Sequence, residues 1–127
     1  MIVDLENAPT FFEWEDGTEG GIEIRLVNPE KLDEIDKKTS KVKKVIKRGV
    51  RTEEKKVNSV LRDKLTWDYC IVSWTGIKDK DGNDVECNID NKYLLMRKSN
   101  AFAMFVNDCM SELLEQLNIE QEELEKN

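Results

Sequence analysis

Alternation at period two marks the first structured stretch. Phe12 and Trp14 alternate with Glu13 and Glu15, Asp16-Gly17-Thr18-Glu19-Gly20-Gly21 supplies a turn, and Ile22, Ile24 and Leu26 alternate with Glu23 and Arg25. This pattern predicts a β-hairpin with one apolar and one charged face, which must lay its apolar face over helices. Asn28-Pro29-Glu30 has the order of a helix start. It offers an N-cap side chain, a proline whose missing N–H costs nothing in the first turn, and an acid near the positive end of the helix dipole. A short helix to about Lys38 follows, with Leu32 and Ile35 as its apolar contacts. Val42, Val45, Ile46 and Val50 fit helical spacing, but their β-branched content and Gly49 favour a strand.

Thr52, followed by Glu53 and Glu54, reads as an N-cap for a second helix through Val57, Val60, Leu61 and Leu65, extending toward Trp74. The segment Trp67-Asp68-Tyr69-Cys70-Ile71-Val72-Ser73-Trp74 is apolar around most of its circumference and belongs in the interior. Gly76 can end that helix, and Asp79-Lys80-Asp81-Gly82-Asn83-Asp84 is an exposed turn. Asn88 or Asp90 can cap a short helix carrying Leu94, Leu95 and Met96. Ser99 or Asn100 caps the clearest element, where Phe102, Phe105, Val106, Cys109, Met110, Leu113, Leu114 and Leu117 recur at three-and-four spacing. The expectation is one α+β domain over residues 1–118: a hairpin layer on a small set of helices, closed by a long amphipathic helix. The acidic tail 119–127 is expected to fray.

Composition narrows the chemistry. Charged residues make up 37% of the 127 positions, against about 25% on average, so a small core sits inside a densely charged skin. Histidine is absent, which removes the usual proton shuttle and the commonest metal ligand. Cys70, Cys87 and Cys109 include no C-x-x-C pair and read as reduced, structural thiols. The longest apolar run, residues 101–106, is far below the ~20 residues of a membrane span. Because the first residues lack a basic start and an apolar stretch, a cytoplasmic location is expected.

Charge is uneven along the chain. Residues 37–56 hold ten of the twenty Lys and Arg against Glu53 and Glu54, while the whole chain carries a net charge of −7. The basic patch formed by Lys41, Lys43, Lys44, Lys47, Arg48 and Arg51 suits nucleic-acid phosphates, an acidic protein surface, or self-pairing with the chain's own acids. No aromatic interleaves with these cations to stack a base, and the acidic remainder repels polyanions, so nucleic acid is the weaker reading.

Aligning Gly82 with the fixed glycine of an EF-hand loop puts Ile77 and Asn88 at key ligand positions, so calcium does not fit. Gly17, Gly20 and Gly21 match no phosphate-binding pattern. No pair of acids stands out as catalytic, and no cofactor or metal is expected. Trp67 and Trp74 are expected in the core and Trp14 on the surface as an interface anchor. Met104, Met110, Leu113, Leu114 and Leu117 form a candidate docking face for another helix.

The run from Trp67 to Trp74 with Thr75-Gly76-Ile77, then Asp81-Gly82, Glu86-Cys87, Asn91-Lys92 and the helix start 99–105, resembles the small tail assembly chaperones of tailed phages and prophages. The likeness spans residues 11–117. It implies a non-enzymatic role in virion assembly: holding a long helical tape measure protein soluble and helping to recruit tail tube subunits, in the host cytoplasm. A nucleic-acid-binding regulator using residues 37–56 and a structural tail component are the alternatives.

Overall fold

A computed structural model describes residues 3–125 of the chain. Strands β1 (Thr10–Glu13) and β2 (Gly21–Ile24) are followed by helix α1 (Pro29–Thr39), the strand pair β3 (Ser40–Lys47) and β4 (Val50–Val57), helix α2 (Ser59–Cys70), strand β5 (Ile71–Trp74), and helices α3 (Ile89–Lys98) and α4 (Asn100–Glu125). The architecture is α+β, as expected. Two separate antiparallel sheets form, one ordered β1-β2-β5 and the other the β3–β4 hairpin alone.

The three-stranded sheet builds the core. Ile22 faces Trp74 and Ile24 faces Ile71 across the β2–β5 pairing, so four large apolar side chains share one face. That face packs on Phe102, Val106 and Cys109 of α4, and Ile22, Ile24, Ile71 and Val106 are all 0% exposed. The Phe102 and Trp74 rings meet edge to face, at 5.7 Å between centroids, a favoured aromatic geometry. On the opposite face, Ser73 donates to Glu23 Oε1 at 2.9 Å.

Side chains that satisfy backbone ends define the helices. Asn28 Oδ1 accepts from the Lys31 N–H at 2.8 Å, Asn58 Oδ1 from Leu61 at 3.1 Å and Asn88 Oδ1 from Asn91 at 2.9 Å. Ser99 Oγ accepts from Phe102 at 3.2 Å. Each cap satisfies an orphan N–H of a first turn. The expected caps at Asn28, Asn88 and Ser99 are therefore found.

Three expectations are corrected. Thr52 is not an N-cap: residues 50–57 pair with β3 from Ser40↔Val57 to Lys47↔Val50, and the helix begins only after Asn58. Arg48 and Gly49 at the turn both have positive φ, 52° and 77°, the backbone pattern of a tight hairpin turn whose twist matches its strands. Nor does α2 continue to Trp74. The chain passes without a loop from Cys70 into β5, because Ile71 and Trp74 gain more by covering α4 as strand residues than by extending an unsupported helix. Finally, α4 remains helical past the expected end at 118 as far as Glu125, while the last two residues of the expected tail lie outside the described ones.

Buried polar groups are satisfied. Lys92, 6% exposed, donates its ammonium to Asp68 Oδ1 at 2.9 Å and to the Asp68 carbonyl at 3.2 Å, fastening α3 to α2. Arg25 stacks its guanidinium 3.8 Å above the Tyr69 ring centroid and donates Nε–H to the Tyr69 carbonyl at 2.9 Å. Asn7 reaches the same ring's hydroxyl at 2.7 Å, tying down the start of the chain.

Strand β5 yields a sharp contrast in stability. Ile71→Ala should cost about 2–5 kcal/mol, the usual cost of emptying a filled site. Ile46→Ala on the exposed hairpin should stay within about 0.5 kcal/mol. Chemical denaturation of the two variants checks both values, and similar costs would contradict this core.

Candidate functional site

The six cations of the expected basic patch all fall on the β3–β4 hairpin, but they do not form a one-sided stripe. Lys41, Lys43 and Lys47 share a face with Val45 and Val50, whereas Lys44 and Arg51 share the other with Val42 and Ile46; Arg48 sits at the tip. Between residues 41 and 56, all but Val45 and Glu54 are exposed. Eight-residue strands reach about 25 Å, so the hairpin forms a basic arm.

Only part of this charge is neutralised internally. Lys47 pairs with Glu54 at 3.1 Å, and Lys55 pairs with Asp36 of α1 at 3.2 Å. Among the described residues, Lys41, Lys43, Lys44, Arg48, Arg51 and Lys56 form no ion pair.

Asp36 is the hub at the base of the arm. It accepts from Lys55 on β4, from Ser40 at the start of β3 and from Arg62 on α2. The Lys55 hydrogen bond, followed by the Lys55 charge, Ser40 and Arg62, holds its carboxyl below the usual value against the opposing effect of desolvation. The Asn58 N–H also donates to the Thr39 carbonyl at 2.7 Å, closing the base.

The expected docking residues separate into two groups. Trp14 is not a free surface anchor: it is half-buried, its ring lies 5.2 Å from Phe105, and its indole N–H donates to the Thr75 carbonyl at 2.6 Å. Met110 and Leu113 also pack against the core. The exposed members are Met104, Leu114 and Leu117, at 65%, 54% and 50%. At about 100° per residue, Leu117 continues the line of Val106, Met110 and Leu113, Leu114 flanks that line, and Met104 lies across the helix from it.

The apolar stripe of α4 thus runs off the end of the core. From Leu114 every described side chain of α4 is exposed, including Leu114, Leu117, Ile119, Glu115, Glu120 and Glu122. This overhang reaches about 18 Å at 1.5 Å per residue. No basic residue occupies its last turn, so its acids lie toward the negative end of the helix dipole without compensation.

One feature was not anticipated from sequence. An open groove of about 1120 Å³ runs between the β1–β2 turn and the α3–α4 junction, with Trp14, Ile77, Leu95 and Phe105 among its apolar lining and Glu15, Asp16 and Glu19 among its acids. Asp16 is held below its ordinary pKa by hydrogen bonds from the Thr18 hydroxyl and N–H. Gly76 lines the groove at φ +83°, where an added Cβ would collide with the Glu19 carbonyl oxygen.

The three thiols are free. Burial pushes Cys70 up to about 11; burial, then the carboxylates of Glu112, Glu15 and Asp108, does the same to Cys109. Cys87 is half-buried, with its pKa raised chiefly by burial. No group of three or more Cys, Asp or Glu among the described residues is arranged to hold a metal ion, and no described helix is long and apolar enough to cross a membrane. No protein-family model, curated protein or solved structure matches the chain.

The Asp36 hub generates a signed pH prediction. A depressed carboxyl pKa means that the tether is complete above the unfolded value of about 4 and is lost as pH falls through the folded one. Arm amides should show lower ¹⁵N heteronuclear NOEs as pH drops from 6 to 3, and Asp36→Asn should reproduce this at pH 6; equal NOEs throughout would refute the tether. A disulfide reagent at pH 8 should modify Cys87 first, more slowly than a free thiol, and reach Cys70 and Cys109 only on unfolding, as read by mass spectrometry.

Proposed function

We propose that this chain is a non-enzymatic assembly chaperone of the phage tail type that its sequence resembles, with a helical client docking along α4. The observation that carries this reading is the stripe of Met110, Leu113 and Leu117, which begins against the core and continues along a helix projecting into solvent. Val106 to Leu113 and Met110 to Leu117 are each one heptad apart, the spacing on which two helices pack side by side.

The size of the surface suits an escort. A few leucines along about 18 Å of helix bury far less than the ~800 Å² per partner of a stable interface, which favours a client held transiently and then released. Glu120 flanks Leu117, and Glu112, Glu115 and Glu122 are exposed around the rest of the helix. They keep the exposed stripe soluble and steer basic or neutral helical segments toward it. A tape measure protein, long and helix-rich, presents apolar stripes that need such temporary cover; recruitment of tail tube subunits would follow from the same complex.

The reading requires a tape measure protein encoded beside this chain, and co-expression with it is the test. The two should elute together, and the large protein should become insoluble without the small one. Leu114→Lys with Leu117→Lys should lower recovery of the complex at least about tenfold while leaving the fold intact by circular dichroism, since both side chains are half exposed or more. Co-elution unaffected by the double variant would move the client elsewhere; failure to co-elute at all would overturn the proposal.

A further inference from the structure

The basic arm and the acidic overhang of α4 are both left unsatisfied within one molecule, and their chemistries are complementary. The arm carries eight Lys and Arg against two Glu over residues 40–57, with six of these cations in no ion pair among the described residues. It also exposes Val42 and Ile46 on one face and Val50 on the other, at 60–68%. The overhang presents exposed Leu114 and Leu117 on one side, with Glu120 next to Leu117, and Ile119, Glu115 and Glu122 around the other. Each element therefore offers a short apolar patch, Val42 with Ile46 on the arm and Leu114 with Leu117 on the helix, and a net charge opposite to the other's.

We infer that, in the absence of a client, the β3–β4 arm of one molecule docks on the α4 overhang of a second copy of the same chain. The inference rests on the reading of α4 as a docking face and names what covers that face between clients. Three physical points favour this occupant. An isolated two-stranded hairpin is marginal in water, so apolar cover over Val42 and Ile46 stabilises the arm itself. Cations brought to the last turns of α4 compensate both its glutamates and the negative end of its dipole. The reach of the two elements is comparable, about 25 Å of strand and about 18 Å of helix.

Two other occupants fit less well. Edge-to-edge pairing of one β3 with another would set Lys41, Lys43, Lys44 and Lys47 against their own copies, a common guard against sheet extension. A nucleic acid would satisfy the cations but leave the exposed valines and Ile46 without apolar cover, and the arm carries no aromatic for a base to stack on. Because arm and overhang are different surfaces, the contact is heterologous: each copy gives one arm and receives another. Copies then close into a ring or continue as an open chain. The contact is strongly electrostatic and hence weak at high salt, so a client with a longer apolar stripe displaces it.

Sedimentation velocity and light scattering on the isolated full-length chain provide the test, with no client present. Wild type at 50 mM NaCl should show a mass rising with concentration to a dimer or more, and at least about a tenfold loss of association at 500 mM NaCl. An arm variant, Lys43→Glu with Lys44→Glu and Lys47→Glu, should remain monomeric. So should a helix variant, Glu115→Lys with Glu120→Lys and Glu122→Lys. All six positions are exposed, and circular dichroism verifies that both variants fold. Mixing the two variants should restore association, because each then presents the charge that the other lost. A wild type that stays monomeric at 50 mM NaCl, or variants whose mixture fails to associate, overturns the inference. A monomer that instead binds a duplex DNA oligonucleotide through the arm assigns the arm to nucleic acid. Co-elution with a client despite monomeric behaviour defeats only this inference, whereas self-association without co-elution defeats only the client reading.

Discussion

The antiparallel pairing of β2 with β5 governs this molecule. It brings Ile22 opposite Trp74 and Ile24 opposite Ile71, producing the one continuous apolar plate against which α4 seats Phe102, Val106 and Cys109. These strands come from distant parts of the chain, yet the rest hangs on their register. Helix α2 must end at Cys70 so that β5 can begin, and the Lys92–Asp68 pair then holds α3 beside α2. A one-residue slip would turn the plate's side chains toward solvent.

With the core concentrated in that plate, the other elements are freed from burying much. The arm has almost no apolar obligation to the body, and its placement depends on polar contacts at its base around Asp36. The far half of α4 likewise leaves the core after Leu113. Stability and surface display are therefore assigned to different parts of a short chain, which is consistent with so high a charged fraction around so small a core.

The elements legible from sequence were those whose determinants are local. Period two around three glycines identifies β1 and β2, Asn28-Pro29 marks the start of α1, and three-and-four spacing marks α4. Residues 52–57 misled because Thr-Glu-Glu imitates a helix start while the true determinant, the Arg48-Gly49 turn pairing 50–57 with 40–47, lies upstream. Strand β5 was hidden because no breaker separates Cys70 from Ile71, and four apolar residues have no period of their own; only the distant partner β2 makes them a strand. Trp14 was misjudged for a related reason, since Phe105 and the Thr75 carbonyl, which occupy its ring and its N–H, are remote in sequence. Of the candidate surfaces, the charge of the arm was plain from composition. Its division over two faces required the strand register.

Helix α1 passes into β3 at Thr39–Ser40 with no intervening loop. A hinge of flexible residues would let the hairpin swing independently; a direct junction makes helix and hairpin a single lever pivoting near Asp36. The direction of the arm is consequently tied to the axis of α1, and Asp36, which accepts from Lys55 and Arg62, braces that lever against α2.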